Sequence, residues 1–316
     1  RYVVLHDGQG PDLWTQNVRR VESSPGRLVI EVDSAWGSGI GLFLTAVNPA
    51  DHLRNLRVLM PGFEGYAGIF HPDFLARLRG YTTIRFLNWM AHEQLQPHGR
   101  WSERPRIDDA RWSGRGVPVE VMVQLVNELG VDPWFTMPHL ADAEYVRNFA
   151  AHVRDTLRSD LRCYVEHSNE VWNGVYPQAR YAQEQGLALG LSTTPFEAQM
   201  RFHSRRTREI TSIFADVMGR DRVVRVLGMM AVNSWWSDRL LAWEDLRSQV
   251  DALAVAPYFG IPYEDQARVR DLTADQLMEE LRDRSVPFAA DRMYRQATVA
   301  RHHGVAVAQR LVRQAG

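Results

Sequence analysis

The chain has 316 residues and one cysteine, Cys163, so it cannot form a disulfide within itself. That thiol sits in an apolar, strand-like run and reads as a small buried hydrophobe. A single cysteine leaves the cellular compartment open. Neither sign of charge is in excess: 37 basic side chains face 38 acidic ones, for a formal net charge of -1. This balance gives no electrostatic basis for binding nucleic acid or an anionic membrane. No apolar run approaches the roughly 18–20 residues that span a bilayer. There is no signal peptide, but the chain opens on Arg1 instead of methionine, and Tyr2–Leu5 is already strand-like. This suggests a native N-terminus further upstream. The missing signal is therefore no argument for the cytoplasm, and the expected location is secreted or periplasmic.

What is present suits a soluble globular protein. Hydrophobic residues make up 45% and charged residues 24%, enough to bury one large core, alone or with a smaller companion domain. Residues 1–62 read as a β-rich module. Arg27–Val32, Gly41–Val47 and Leu56–Met60 are short apolar segments between Gly, Pro, Asn and Asp breakers. Gly37-Ser38-Gly39-Ile40-Gly41 superficially resembles a nucleotide loop. A strand-like segment follows it, so no helix N-terminus is available for a phosphate.

From residue 63 to 316 the pattern alternates strand and helix. Expected strands are Thr83–Trp89, Asp132–Met137, Arg162–Glu166, Val223–Met230, Ala252–Ala256 and Val305–Ala308. Expected helices include Pro72–Leu78, one opening at Pro118 and capped by Gly130, and Asp142 to about Leu157. Further helices are Pro177–Leu189, one entered through a Thr194–Glu197 capping box, Arg239–Arg247, one entered through a Thr273–Gln276 box, and Phe288–His302. Short strands rich in Val, Ile and Leu, alternating with helices, indicate a parallel sheet covered on both faces. Polar and aromatic residues follow several strands: Asn88-Trp89, His139, Asn169-Glu170, Asn233 and Tyr258. An open sheet would gather them at one switch point, whereas the mouth of a barrel collects them from many strand ends. The expectation is a TIM-type (β/α)8 barrel. Residues 91–116 form a long polar connection suited to a cleft wall. Within it, His92-Glu93 and His98 lack the spacing of a metal-binding helix, and Pro97 would interrupt one.

The densest chemistry is Tyr164-Val165-Glu166-His167-Ser168-Asn169-Glu170-Val171-Trp172-Asn173. A carboxyl group in a partly desolvated cleft can protonate a leaving oxygen, which makes Glu170 a candidate general acid/base. The bland alternative is that Asn169-Glu170 caps the helix that follows. Trp89, Trp172, Trp235 and Trp236 are candidate sugar platforms, since a flat ring face matches the CH face of a pyranose. Each serves equally well as core.

These segments carry a resemblance. Together with Arg85-Phe86-Leu87-Asn88-Trp89 and Asp132-Pro133-Trp134-Phe135-Thr136-Met137-Pro138-His139-Leu140, the ten-residue segment resembles the clan A glycoside hydrolases. More narrowly, it resembles bacterial glycosidase-like proteins labelled cellulose-binding. The resemblance runs from about Arg1 to Tyr258. It implies that Glu170 is the acid/base, and that Asn169 is the amide bonded to the sugar 2-hydroxyl. It further implies that Arg85 holds the nucleophile ionised and that Tyr258 hydrogen-bonds it. His139, Trp89, Trp172, Asn173 and Trp235 would contact substrate. The implied activity is retaining hydrolysis of a β-linked glycan, with a β-glucan or related carbohydrate as partner. No cofactor and no metal are implied, because a pair of carboxylates supplies the chemistry. Oligomeric state is left open.

The sequence departs from the resemblance at the nucleophile. The strand expected to carry it, Val305–Ala308, runs directly into Gln309-Arg310-Leu311, where the resembling proteins continue into Tyr-Glu-Gly-Gly. No Asp or Glu occurs from Tyr294 to Gly316. Either those residues exist in the molecule but not in this stretch, or the chain is a non-catalytic carbohydrate-binding protein on a degenerate barrel.

Overall fold

The computed structural model describes residues 1–8, 13–32, 39–44, 48–90, 99–261 and 265–309. The chain divides into two compact units, Arg1–Pro72 and Asp73–Gly316.

In the first unit the alternating apolar segments become antiparallel strands. They are β1 (Tyr2–Asp7), β2 (Leu13–Gln16), β3 (Arg19–Ser24), β4 (Arg27–Glu31), β5 (Gly41–Leu44) and β6 (Arg54–Leu59). One sheet has the order β3-β4-β1-β6, and β2 pairs with β5 in a second. Val4, Leu28 and Ile30 are buried at its centre, where alternate residues of β1 and β4 meet. β2 and β3 had no clear signal in the sequence. The expected strand Gly41–Val47 ends at Leu44, and residues 45–47 lie outside the described residues.

Helix α1 (Pro72–Leu78) leads into β7 (Thr83–Arg85). This strand is shorter than the expected Thr83–Trp89, because Asn88–Met90 turns into a 3-10 helix. The order then runs α2 (Val119–Leu129), β8 (Asp132–Met137), α3 (Ala143–Thr156), β9 (Cys163–His167), α4 (Pro177–Ala188), α5 (Pro195–Met218) and β10 (Val223–Gly228). It continues with α6 (Ser234–Ala242), β11 (Ala252–Val255), α7 (Gln266–Val269), α8 (Ala274–Glu280), α9 (Val286–His303) and β12 (Ala306–Gln309). The sheet of the second unit has six parallel strands in the order β12-β11-β10-β9-β8-β7 and curls into a half-barrel. Among the described residues this sheet has six strands in sequential order, against the eight of the expected barrel.

Strand periodicity sorts the side chains of this sheet into two faces. Outward, Leu227, Leu253 and Val255 pack with Leu240, Leu241, Leu246 and Ala300 of the helix layer. Inward, Trp134, Val224, Val226, Ala252 and Ala254 form a second cluster with Tyr164. Several helix ends follow the sequence rules. Gly130 closes α2 in the left-handed conformation (φ 68°), the Asp142 carboxylate accepts the Tyr145 N–H at 2.7 Å, and the Thr273–Gln276 box forms. The Thr194–Glu197 box does not form. Glu197 instead accepts from Ser192, Arg201 and Arg239, which outcompete the backbone for its oxygens. The expected helix Arg239–Arg247 begins earlier, at Ser234, because the Asn233 side chain caps it by accepting the Trp236 N–H.

Two buried histidines join the outward face of β9 to α5. His167 Nδ1 and His203 Nδ1 lie 2.9 Å apart, and His203 Nε2 lies 2.9 Å from the Gly228 carbonyl. A carbonyl only accepts, so His203 carries its hydrogen on Nε2. Its bare Nδ1 then accepts from the Nδ1–H of His167. α4 and α5 meet at Gly186, where an added Cβ would stand 2.2 Å from the Ala198 carbonyl oxygen. A Gly186→Ala variant is therefore expected to lose about 1–3 kcal/mol of stability by forced overpacking. A lower midpoint in urea unfolding would show it, and an unchanged midpoint would refute the close approach.

Candidate functional site

Arg85 is the last residue of β7 and points inward. In the strand register it shares a row with Trp134, Tyr164 and Val224, while Glu166 sits one row further along β9. The guanidinium therefore reaches diagonally across β8. Its Nε donates to Glu166 Oε2 at 3.0 Å, and its Nη2 lies 2.9 Å from the same oxygen. Trp134 Nε1 donates to that oxygen as well, at 3.0 Å. One carboxylate oxygen thus ties three consecutive strands together. The pair is deeply enclosed, with side-chain exposures of 12% for Arg85 and 1% for Glu166. The guanidinium also stands 5.5 Å from the centroid of the Trp134 ring, which stacks on Tyr164 at 5.7 Å.

A second donor of Arg85 reaches the segment after β9. Nη2 donates to Asn169 Oδ1 at 3.1 Å, so Arg85 fixes both the strand and the loop it feeds. This loop is unusual in its backbone. Ser168 (φ 55°) and Glu170 (φ 43°) both adopt the left-handed region, which costs a side-chain-bearing residue about 1–3 kcal/mol unless the surroundings hold it. The surroundings do hold it. Ser168 N–H donates to the Met137 carbonyl at 2.8 Å, Gln178 Nε2 donates to the Asn169 carbonyl at 2.8 Å, and Gln199 Nε2 donates to the Val171 carbonyl at 2.5 Å. Glu170 is half-buried, and its Oε2 accepts from Asn173 Nδ2 at 3.0 Å. The Asn173 backbone N–H closes the turn on the Glu170 carbonyl at 2.8 Å.

Arg85, Asn169, Glu170 and Asn173 are therefore gathered at the C-terminal ends of β7 and β9. The other candidates lie in different surroundings. Trp89 packs in an aromatic group with Phe74 and Phe86, at 6.3 and 5.5 Å between centroids. Trp172 is half-buried against the apolar cluster of β10, β11 and α6. Trp235 and Trp236 belong to the first turn of α6 and not to a strand end. Trp235 is 56% exposed, edge-on to Trp236, with the Arg239 guanidinium 4.8 Å from its ring centroid. Tyr258 follows β11 and is 60% exposed. His92, Glu93 and His98 lie outside the described residues. Among the described residues, the clusters with three possible metal ligands include none at this site.

His139 lies just beyond β8 but faces the helices. Its ring is 5.3 Å from that of Tyr181 in α4, and it lines a cavity of about 390 Å³ with Tyr181, Phe202, Arg205, Arg206 and Glu209. It is 5% exposed, and its Nδ1 has no hydrogen-bond partner. Burial without a counter-charge lowers its pKa to about 4. A larger cavity, about 480 Å³, lies against the inner face of the sheet beside Arg85, Trp134, Tyr164, Val224, Ala252 and Ala308.

Sequence reasoning missed Glu166, Gln178 and Gln199. A signal for Glu166 was present: it is two residues from Tyr164 in a strand, so it shares the inward face with Arg85. The two glutamines had none, since a glutamine in the first turns of a helix is ordinary sequence.

Two consequences follow for stability. Replacing Glu166 by Ala strands a buried guanidinium and is expected to cost about 3–5 kcal/mol, while Glu166→Gln costs less because its carbonyl still accepts. Urea unfolding of both variants tests this, and equal small losses would refute the buried pair. For His139, the unfolded chain takes up a proton near the ordinary value of 6.5, whereas the folded chain resists until about 4. Stability is then full above pH 6.5 and falls as pH drops toward 4. His139→Gln is expected to remove about 2 kcal/mol of the loss between roughly pH 7 and pH 5. Identical pH profiles for variant and parent would contradict this.

Comparison with known proteins adds little. No family model matches the chain, and no curated protein matches it. Among solved structures, a psychrophilic glycoside hydrolase family 10 endo-β-1,4-xylanase aligns with 73% of this chain and 78% of its own, at 11% identity and a TM-score of 0.31. So loose a match carries no argument, and the reading of the site rests on its own geometry.

Proposed function

We propose that the chain is a glycoside hydrolase of (β/α)-barrel type acting on a β-linked polysaccharide or oligosaccharide, with Glu170 as general acid/base. One observation carries this reading: the 3.1 Å hydrogen bond from Arg85 Nη2 to Asn169 Oδ1, which joins two strand ends beside the Glu170 carboxyl. Because Arg85 occupies Oδ1, the Asn169 side chain has its NH2 group left to give, which suits donation to a sugar hydroxyl. Asn173 anchors one oxygen of Glu170, so the other can address a leaving oxygen.

In this reading Glu170 protonates the departing oxygen as a second carboxylate bonds the anomeric carbon, then accepts a proton from the water that displaces that carboxylate. A retaining course needs a second carboxylate about 5–5.5 Å away. Glu166 does not suit that task, because its Oε2 is committed to Arg85 and Trp134 and its side chain is closed to solvent. It acts as a positioning residue for Arg85. A second reading, a carbohydrate-binding protein without turnover, is favoured by the direct run of Val305–Ala308 into Gln309-Arg310-Leu311, where a carboxylate was expected.

Reducing-sugar release from a panel of β-glucans and β-xylans separates the two. Glu170→Gln is expected to lower hydrolysis of unactivated substrates by roughly 10²–10⁴-fold with an unchanged circular dichroism spectrum. Full activity in that variant would sink the proposal. A parent protein that binds these glycans through Asn169 and Glu170 but cleaves none would establish the second reading.

A further inference from the structure

Away from the strand ends, Asp238 of α6 meets His302 and His303 in the last turn of α9. Their candidate ligand atoms lie within 4.8 Å of one another, and His303 Nε2 is 2.8 Å from Asp238 Oδ1. We infer that these three side chains form a binding site for a divalent transition-metal ion such as zinc or nickel, with solvent completing the coordination. This assignment is independent of the sugar reading.

Four observations support it. The first is reach. Three atoms this close leave a point at most about 2.8 Å from all of them, against zinc bonds of about 2.0–2.2 Å to imidazole nitrogen or carboxylate oxygen. Shifts of well under an ångström close the difference, and His302 is exposed and able to make one. The second is charge. The adjacent Arg239 guanidinium is taken by Glu197 at 2.9 Å, so it does not neutralise Asp238. The two histidines also stand at the C-terminal end of α9, where the helix dipole favours a cation. The third is pre-positioning. The His303 side chain is only 5% exposed and is already aimed at Asp238, so little ordering remains to be done on binding. The fourth is ligand type. Two imidazoles and one carboxylate match zinc and its neighbours better than calcium or magnesium, which prefer oxygen alone. Binding takes the Nε2 lone pair of His303, and the ring hydrogen then resides on Nδ1, which is buried and has no partner now.

The ion would clamp α6 to α9. The test is equilibrium dialysis of the intact chain with zinc chloride, alongside thermal melting with and without zinc. The parent is expected to bind one ion at this site and to melt at a higher temperature with zinc. Asp238→Asn combined with His302→Gln is expected to weaken that binding at least about tenfold and abolish the shift. His302→Gln alone, at an exposed position, serves as the control if the double variant fails to fold, and it too should weaken binding. Unaltered zinc affinity in either folded variant would place the ion on other histidines and overturn the inference. So would no binding by the parent at about 1 mM zinc.

Discussion

The second unit turns on a buried charge pair. Arg85 and Glu166 have been taken out of water, and neither can stay there without the other. Glu166 Oε2 collects donors from β7 and β8 while belonging to β9, so the register of three strands meets at a single atom. An apolar inner face would hold these strands equally well by packing alone. What the ion pair adds is direction, because a guanidinium fork fixes the angle between its partners. Asn169 stands on the remaining prong, and the loop of Glu170 inherits its position from there.

The outer layer works on the same loop from the other side. Gln178, early in α4, and Gln199, early in α5, each spend a side-chain amide on a loop carbonyl. The two helices are fixed to each other by their close approach at Gly186, and α5 is fixed to the sheet through His203 and His167. The candidate acid is therefore held from within by a strand-borne arginine and from without by helix-borne glutamines. Each is a polar group whose partner is buried, which is where geometry is set most firmly.

Much of this was legible in the sequence. The parallel strands announced themselves because both of their faces are covered, which leaves short, uninterrupted apolar runs such as Ala252 to Val255. Gly130 and Asp142 marked helix ends because their chemistry is local. Asn169 and Arg85 were picked out and are bonded. Other features depend on tertiary partners that a linear reading cannot supply. The Thr194 box lost Glu197 to Arg239, 42 residues away. β7 stops early because the chain after Arg85 bends to pack Trp89 on Phe74 and Phe86. His139 looked like a cleft residue because it follows a strand, yet its ring lies against Tyr181. Strand-end position says which end of the sheet a side chain leaves from, but not which layer it enters.

The left-handed pair Ser168 and Glu170 sets a limit on how this protein can be improved. Each side chain bears a steric cost in this region that glycine, lacking a Cβ, would not. A selection for heat resistance alone would thus be drawn to these two positions. At Glu170 such a change would delete the very carboxyl group the turn presents, and at Ser168 it would slacken the turn that presents it. Thermal robustness and the shape of this corner are in competition, and gains in stability have to be sought elsewhere in the molecule.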